Sequence, residues 1–241
     1  MPRISVHNVG TLGVIKDLPP HVMPPEAWSD GRNARFIDGQ GAKIAGHTQV
    51  FSGSLHGPEF AMTLQTAAQI FWIYASLNKA SVYEGGSHFD ITRASGDYTT
   101  ADGRDWNGGV LGGIPILNNG ANIPQYWPSL NVATRLDNLP NWTVGAICKV
   151  MRPFRNFLIA LNITESGVQK PHRVRWSSSA DPGTVPQTWD PSDPTKDSGE
   201  FDLSDVNAGA IVEAFPLRDA FVIYKENSTW AMRFIGGQSI F

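Results

Sequence analysis

The sequence predicts an all-β fold: a β-propeller in which four blades are legible and six would complete the ring, preceded by an extended proline-rich N-terminal arm. Three observations carry this. The 241 residues include 24 Gly, 17 Pro and 8 Trp, with 41% hydrophobic and 17% charged residues, the balance of many short strands and tight turns around a real core. An apolar strand, a polar turn and an aromatic-ended strand recur four times. The closing aromatics Tyr83, Trp127, Trp176 and Trp230 lie 44, 49 and 54 residues apart, near the roughly 40–50 residues of a four-stranded blade. A sandwich would place strands every ~8–12 residues without this longer period.

The elements follow in order. Residues 1–32 contain Pro19-Pro20 and Pro24-Pro25; proline fixes φ and removes donors, which favours an extended docking arm over a helix. Residues 33–241 form the blades. Ala34 to Ile37 and Ala42 to Ala45 are expected to pair as a hairpin across Asp38-Gly39, a sequence suited to positive φ at both turn positions. Phe71 to Ala75 then leads through Asn78-Lys79 to Ser81-Val82-Tyr83. Ile114 to Leu117 leads through Asn118-Asn119-Gly120 to Pro124-Gln125-Tyr126-Trp127. Phe157 to Leu161 leads through Glu165-Ser166-Gly167 to Arg173-Val174-Arg175-Trp176, and Ala220 to Tyr224 through Glu226-Asn227-Ser228 to Thr229–Phe234. The continuous apolar runs FWIYA, FLIAL and FVIY suit inner strands covered on both faces, and the alternating HRVRW suits a half-exposed one. Four blades fall short of the usual complement. The chain stops in Gly236 to Phe241, which reads as the start of another strand, so a longer polypeptide or another means of closure is expected.

A formal net charge of −3 argues against a basic footprint for gripping phosphates. Cys148 is the only cysteine, which excludes intrachain disulfides, and its apolar neighbours suggest a buried thiol. The six histidines lack zinc spacing, and no apolar run approaches the ~18 residues of a membrane helix. A soluble protein without metal or cofactor, made in a reducing compartment, is therefore expected.

Three stretches invite a functional interpretation. Ser179-Ala180-Asp181-Pro182-Gly183, inside WSSSADPGTVPQTW, follows the S-x-D-x-G core of the Asp-box, a rim turn found in sialidases and other propellers. Its aromatic is displaced: Pro186 stands three positions after Gly183, and the tryptophan comes at Trp189. The turn therefore argues for a fold more than a chemistry. No Arg, Tyr and Glu occupy corresponding positions of successive repeats, as sialidase catalysis would require. The acidic stretch Asp190 to Glu200 lacks the alternation of a calcium loop. Gly108-Gly109-Val110-Leu111-Gly112-Gly113 is followed by Ile114-Pro115, a strand start, so its glycines suit a bulge or close blade packing rather than a phosphate cradle.

Taken together, GVIKDLPPHVMPPEAWSDGRNARFIDGQGAKIAG, WNGGVLGGIPILNNGANIPQYW, PHRVRWSSSADPGTVPQTWD and PLRDAFVIYKENSTWAMRFIGG resemble the tail nozzle proteins of short-tailed bacteriophages, also described as packaged-DNA stabilisation or tail tubular proteins. The resemblance runs from about Gly13 to Gly237. It implies a non-enzymatic virion subunit of the tail, assembled in the bacterial cytoplasm as a hexameric ring below the portal and adaptor proteins. Such a ring would carry tail fibres or spikes and conduct double-stranded DNA without sequence-specific binding. Ring closure requires two different patches per subunit; the candidates are Pro19, Pro20, Pro24, Pro25 and Trp28 of the arm, with Tyr126 and Trp127, although Trp127 suits blade packing equally well. The rival expectations are a carbohydrate-active propeller, sialidase-like or lectin-like, and a generic protein-binding scaffold.

Overall fold

Every apolar run singled out above forms a strand in the computed structural model, which describes residues 10–46, 48–51, 53–100, 105–236 and 240–241. The chain divides at Ser52/Gly53 into two units. This groups the first hairpin with the arm, whereas the sequence suggested a boundary at residue 32.

In the first unit, β1 (Ala34–Ile37) pairs antiparallel with β2 (Gln40–Lys43) across Asp38-Gly39, whose φ values of 51° and 74° are those that this dipeptide tolerates. The described part of the arm, residues 10–32, is not extended. The Trp28 amide donates to Gly13 and the Ile15 amide to Trp28, both at 2.9 Å, closing a loop whose two turns run from Pro19 to Val22 and from Pro24 to Ala27. Pro20 and Pro25 take the second position of each turn, where a φ fixed near −65° is already correct. Trp28 meets Phe36 edge-on at 5.6 Å. Residues 1–9 of the expected arm, including His7, lie outside the described residues, as does His47.

The second unit contains three four-stranded antiparallel sheets and one of three strands, each an up-and-down meander. The first holds β3 (Phe60–Gln65), β4 (Ile70–Ala75), β5 (Ala80–Glu84) and β6 (Ser87–Asp90). The second holds β7 (Asn107–Leu111), β8 (Ile114–Asn118), β9 (Gln125–Tyr126) and β10 (Asp137–Asn138). The third holds β11 (Ala146–Phe154), β12 (Phe157–Glu165), β13 (Val168–Trp176) and β14 (Gly199–Asp202), and the last β15 (Ile211–Leu217), β16 (Ala220–Lys225) and β17 (Thr229–Arg233). Each repeated hairpin in the sequence is thus strands two and three of a sheet. Residues 237–239 of the suspected next strand lie outside the described residues.

Neighbouring sheets touch mainly through their first strands: β3 against β7, β7 against β11, and β11 against β15. FWIYA, FLIAL and FVIY are second strands, paired on both edges and largely buried. Separate apolar clusters fill the three seams, around Phe71, Trp106 and Trp127, around Leu158, Trp142 and Trp189, and around Phe154, Phe221 and Ile223. Burial of such side chains contributes roughly 1.5–3 kcal/mol each.

Polar side chains stitch the same seams. The Trp106 indole donates to the Ser76 carbonyl at 2.8 Å. Buried Asn107 and Asn118 donate to the Lys149 and Cys148 carbonyls at 2.9 and 3.0 Å, and the Met151 amide donates to Asn107. Arg152 bridges Glu213 of β15 at 2.8 Å and the Gly108 carbonyl at 2.7 Å. Glycine is required where β7 meets its neighbours. At Gly108, φ is +148° and a Cβ would sit 2.1 Å from the Ile116 carbonyl oxygen; at Gly109 it would sit 2.6 Å from the Pro153 ring. The expected close packing of this glycine run is therefore present. Cys148 is buried, and burial raises its thiol pKa far above the ordinary value.

Candidate functional site

The stretch WSSSADPGTVPQTW leaves β13 and docks on the second sheet, but not as an Asp-box. The Asp181 carboxylate is exposed and has no hydrogen-bond partner among the described residues. What closes the turn is the Asp181 carbonyl, which accepts from the Thr184 amide at 3.0 Å. Ser179 contributes only its amide, to Asp197 at 3.0 Å. The anchoring side chain is the neighbouring Ser178, buried, whose hydroxyl accepts from the Gln187 and Thr188 amides at 3.1 and 3.2 Å. Gly183 does serve the fold: with φ at +79°, its amide donates to the Gly112 carbonyl at 2.7 Å. Trp189 is buried edge-on against Trp142 at 4.7 Å. Asp181→Asn is therefore expected to leave stability within about 0.5 kcal/mol, whereas Ser178→Ala, which strips two part-buried amides of their acceptor, should cost about 1–2 kcal/mol. Urea midpoints distinguish the two.

The remaining assembly candidates separate by burial. Trp127 is only 1% exposed, its ring edge-on to Phe71 at 5.4 Å and its indole donating to the Thr134 carbonyl at 2.9 Å. It is a core residue, which is the packing alternative rather than the assembly surface. The cause is position: Trp127 follows a third strand at the seam between two sheets. Tyr126 is half-buried against the next seam. Pro19, Pro20 and Pro25 are exposed, and Trp28 remains 38% exposed despite its contact with Phe36.

A charge ladder runs across the third sheet. On β13, Arg173 pairs with Asp202 and Glu200 of β14, both at 2.7 Å. Arg175, buried, pairs with Glu200 and with Glu165 of β12, and Lys170 also holds Glu165. Burial alone would raise the Glu165 pKa; Lys170 and Arg175 outweigh it and hold the carboxyl below its ordinary range. Arg173 does the same for Asp202. Ionised carboxylates are the reverse of what a general acid requires, and both guanidiniums are committed to them. HRVRW is thus ion-paired rather than half-solvated on its polar face. Matching i, i+2 charges, Arg173 and Arg175 against Glu200 and Asp202, were the available sequence signal. Folded-state pKa values lowered in this way contribute stability that is complete above the ordinary carboxylate value and lost as pH falls through the folded one. Acid titration of unfolding should therefore show wild type losing its advantage over Glu165→Gln below pH 4.5.

The last sheet carries the second surface. β17 pairs only with β16 among the described residues, leaving its outer edge without a strand. Beside it lies an apolar groove of about 430 Å³ whose lining includes Val174, Trp176, Phe201, Trp230, Met232 and Ile235. A clamp holds Trp230 of this lining: Lys225, with no side-chain exposure, donates to the Asp205 carboxylate and carbonyl at 2.6 Å, and Trp230 donates to the same carboxylate at 2.8 Å. The Lys225 hydrogen bond, with help from Ser228 and Trp230, depresses the Asp205 pKa strongly. Among the described residues no group of three His, Cys, Asp or Glu side chains converges as a metal site, and no helix is long and apolar enough to cross a membrane.

Fold and surfaces together define an all-β protein of sequential antiparallel meanders that touch mainly through their first strands. The chain matches no known protein-family profile and no curated protein.

Proposed function

We propose that this chain is a propeller-based structural subunit that assembles with copies of itself into a ring, the tail nozzle of a short-tailed bacteriophage, through which packaged DNA is retained and then conducted. The observation that carries this is the stacking of consecutive meanders, first strand against first strand, with a separate apolar core in each seam. That is how propeller blades follow one another around an axis. The four ordered motifs that resemble nozzle proteins supply the rest: NGGVLGGIPILNN forms the first two strands of the second sheet and its stitches to the third, and RVRWSSSADPG belongs to the charge ladder and docked turn.

The charge pattern supports a conduit. Each neutralised phosphate adds salt-dependent affinity that would slow DNA passage. Here the net charge is −3, and Arg173 and Arg175 are neutralised within the subunit. Portal or adaptor proteins and tail fibres or spikes are the partners this role requires. The test is electron microscopy of the purified chain, alone and mixed with nozzle-free particles. The expected result is a closed ring with an axial channel that joins the particle below the adaptor. A monomer that binds or hydrolyses a sialoside would instead support the carbohydrate-active alternative.

A further inference from the structure

We propose that a pocket at one end of the third sheet binds a neutral sugar, a single pyranose ring that is either free or the terminal residue of a glycan. The site stands apart from the ring proposed above, which it neither requires nor excludes.

The pocket, of about 380 Å³, lies where three segments meet: the turn before β11, the end of β12 and the loop from β13 to β14. Trp142 and Trp189, edge-on at 4.7 Å, give it apolar lining, and Thr143, Thr188, Glu165 and Asp190 give it polar lining. Small-molecule sites run from roughly 300 to 1,000 Å³, so this one suits a single ring rather than a chain of them. Its lining is unfinished at one atom. Trp189 is 2% exposed and its indole N–H has no acceptor among the described residues, whereas the Trp142 indole donates to the Ala146 carbonyl at 2.8 Å. An unpaired buried donor is costly to the fold. Because this one is shielded from bulk water, only a group held in the pocket can accept from it.

The donors and acceptors narrow the ligand. Glu165 and Asp190 are both held below the ordinary carboxylate range, Asp190 by the Ser192 hydroxyl and amide, so both are ionised at neutral pH. One Asp190 oxygen accepts from that amide and hydroxyl at 2.9 and 2.7 Å; the other has no protein donor among the described residues. An ionised carboxylate only accepts and an indole only donates. A hydroxyl answers both, since it donates to the first and accepts from the second. A ring that carries several hydroxyls and an apolar C–H face also matches the two tryptophans. Other classes fit less well. An anion would face two carboxylates, with Arg175 already committed to Glu165 and Glu200. A metal ion would meet the Arg175 charge, and no three His, Cys, Asp or Glu side chains converge among the described residues.

The test is an NMR titration of the full chain with the methyl glycosides of glucose, galactose and mannose, and with a methyl sialoside as the anionic comparison, following the assigned Trp189 indole N–H. At least one neutral glycoside is expected to shift that resonance saturably. Trp189→Phe, shown folded by circular dichroism, should bind the same glycoside roughly tenfold more weakly by calorimetry. If it does not fold, Asp190→Asn, which keeps an oxygen for Ser192, takes its place with the same expectation. A trisaccharide ending in the preferred ring separates the two sources: it binds as well as the glycoside if the ligand is a glycan terminus, and is shut out if the ligand is a free sugar. No shift with any neutral glycoside would overturn the site and leave a pocket that holds water only. A shift with the sialoside alone, or undiminished binding by the variant, would overturn it too. None of these outcomes touches the ring, which microscopy reads independently.

Discussion

Gly108→Ala is expected to abolish the soluble, folded protein. The added methyl would stand 2.1 Å from the Ile116 carbonyl oxygen, far inside van der Waals contact, and at φ +148°. The clash is with backbone rather than with a flexible side chain, so relief requires β7 to separate from β8. That movement would also break the Arg152 bond to the Gly108 carbonyl and displace Gly109 from Pro153. Because β7 links the first strands of its neighbours, both adjoining seams would open, and the loss should exceed about 4 kcal/mol, the range reserved for disrupted cores and strained backbones. Soluble yield and the urea midpoint provide the measurement. Gly57→Ala is the control, since nothing lies within 4 Å of its added Cβ and its φ is not positive; it should behave as wild type.

Trp127→Ala should cost about 3–5 kcal/mol, the usual price of deleting a fully buried aromatic. The substitution removes the edge contact with Phe71, strips the Thr134 carbonyl of its indole donor, and leaves a cavity in the first seam. For a domain of this size the thermal midpoint should fall by roughly 2–4 °C per kcal/mol. The result also decides a question of role. An assembly residue would leave the monomer's stability unchanged and weaken only association; a seam residue lowers stability at every protein concentration. Trp28→Ala should show the contrasting pattern, with little effect on unfolding of the second unit, because Trp28 packs on Phe36 within the first unit.

Local signals were legible where backbone geometry and side-chain chemistry coincide. Asp38-Gly39 announced its hairpin because few other dipeptides tolerate two positive φ values, and the four aromatic-ended hairpins were visible because second and third strands carry the most regular patterns. First strands were harder to see. β3 and β15 mix exposed and buried positions, β7 carries two glycines among its five residues, and fourth strands such as β10 are two residues long. The proline pairs were misjudged as extending the arm: Pro20 and Pro25 start turns instead, since the φ that suits an extended chain also suits the second position of a β-turn.

At the candidate surfaces, legibility failed for a different reason. Asp181 matched a motif by type and spacing, yet the buried acceptors are Ser177 and Ser178, and spacing alone does not say which of three consecutive serines point inward. Tryptophans are equally ambiguous. Trp127, Trp189 and Trp28 look alike in sequence, and only the tertiary fold buries the first two while leaving the third partly open. The Lys225–Asp205–Trp230 clamp joins residues with no common periodicity, through a loop that returns to the β16–β17 hairpin. The β17 edge, unpaired among the described residues, was not legible for a simpler reason: pairing partners leave no pattern in the strand itself.

The most direct test of the central claim is the mass and shape of the purified full chain at neutral pH, by native mass spectrometry with electron microscopy of the same sample. The structural-subunit proposal predicts one closed ring, six copies by the nozzle resemblance, around an open axial channel. A monodisperse monomer, folded and unchanged across a hundredfold range of concentration, would contradict it.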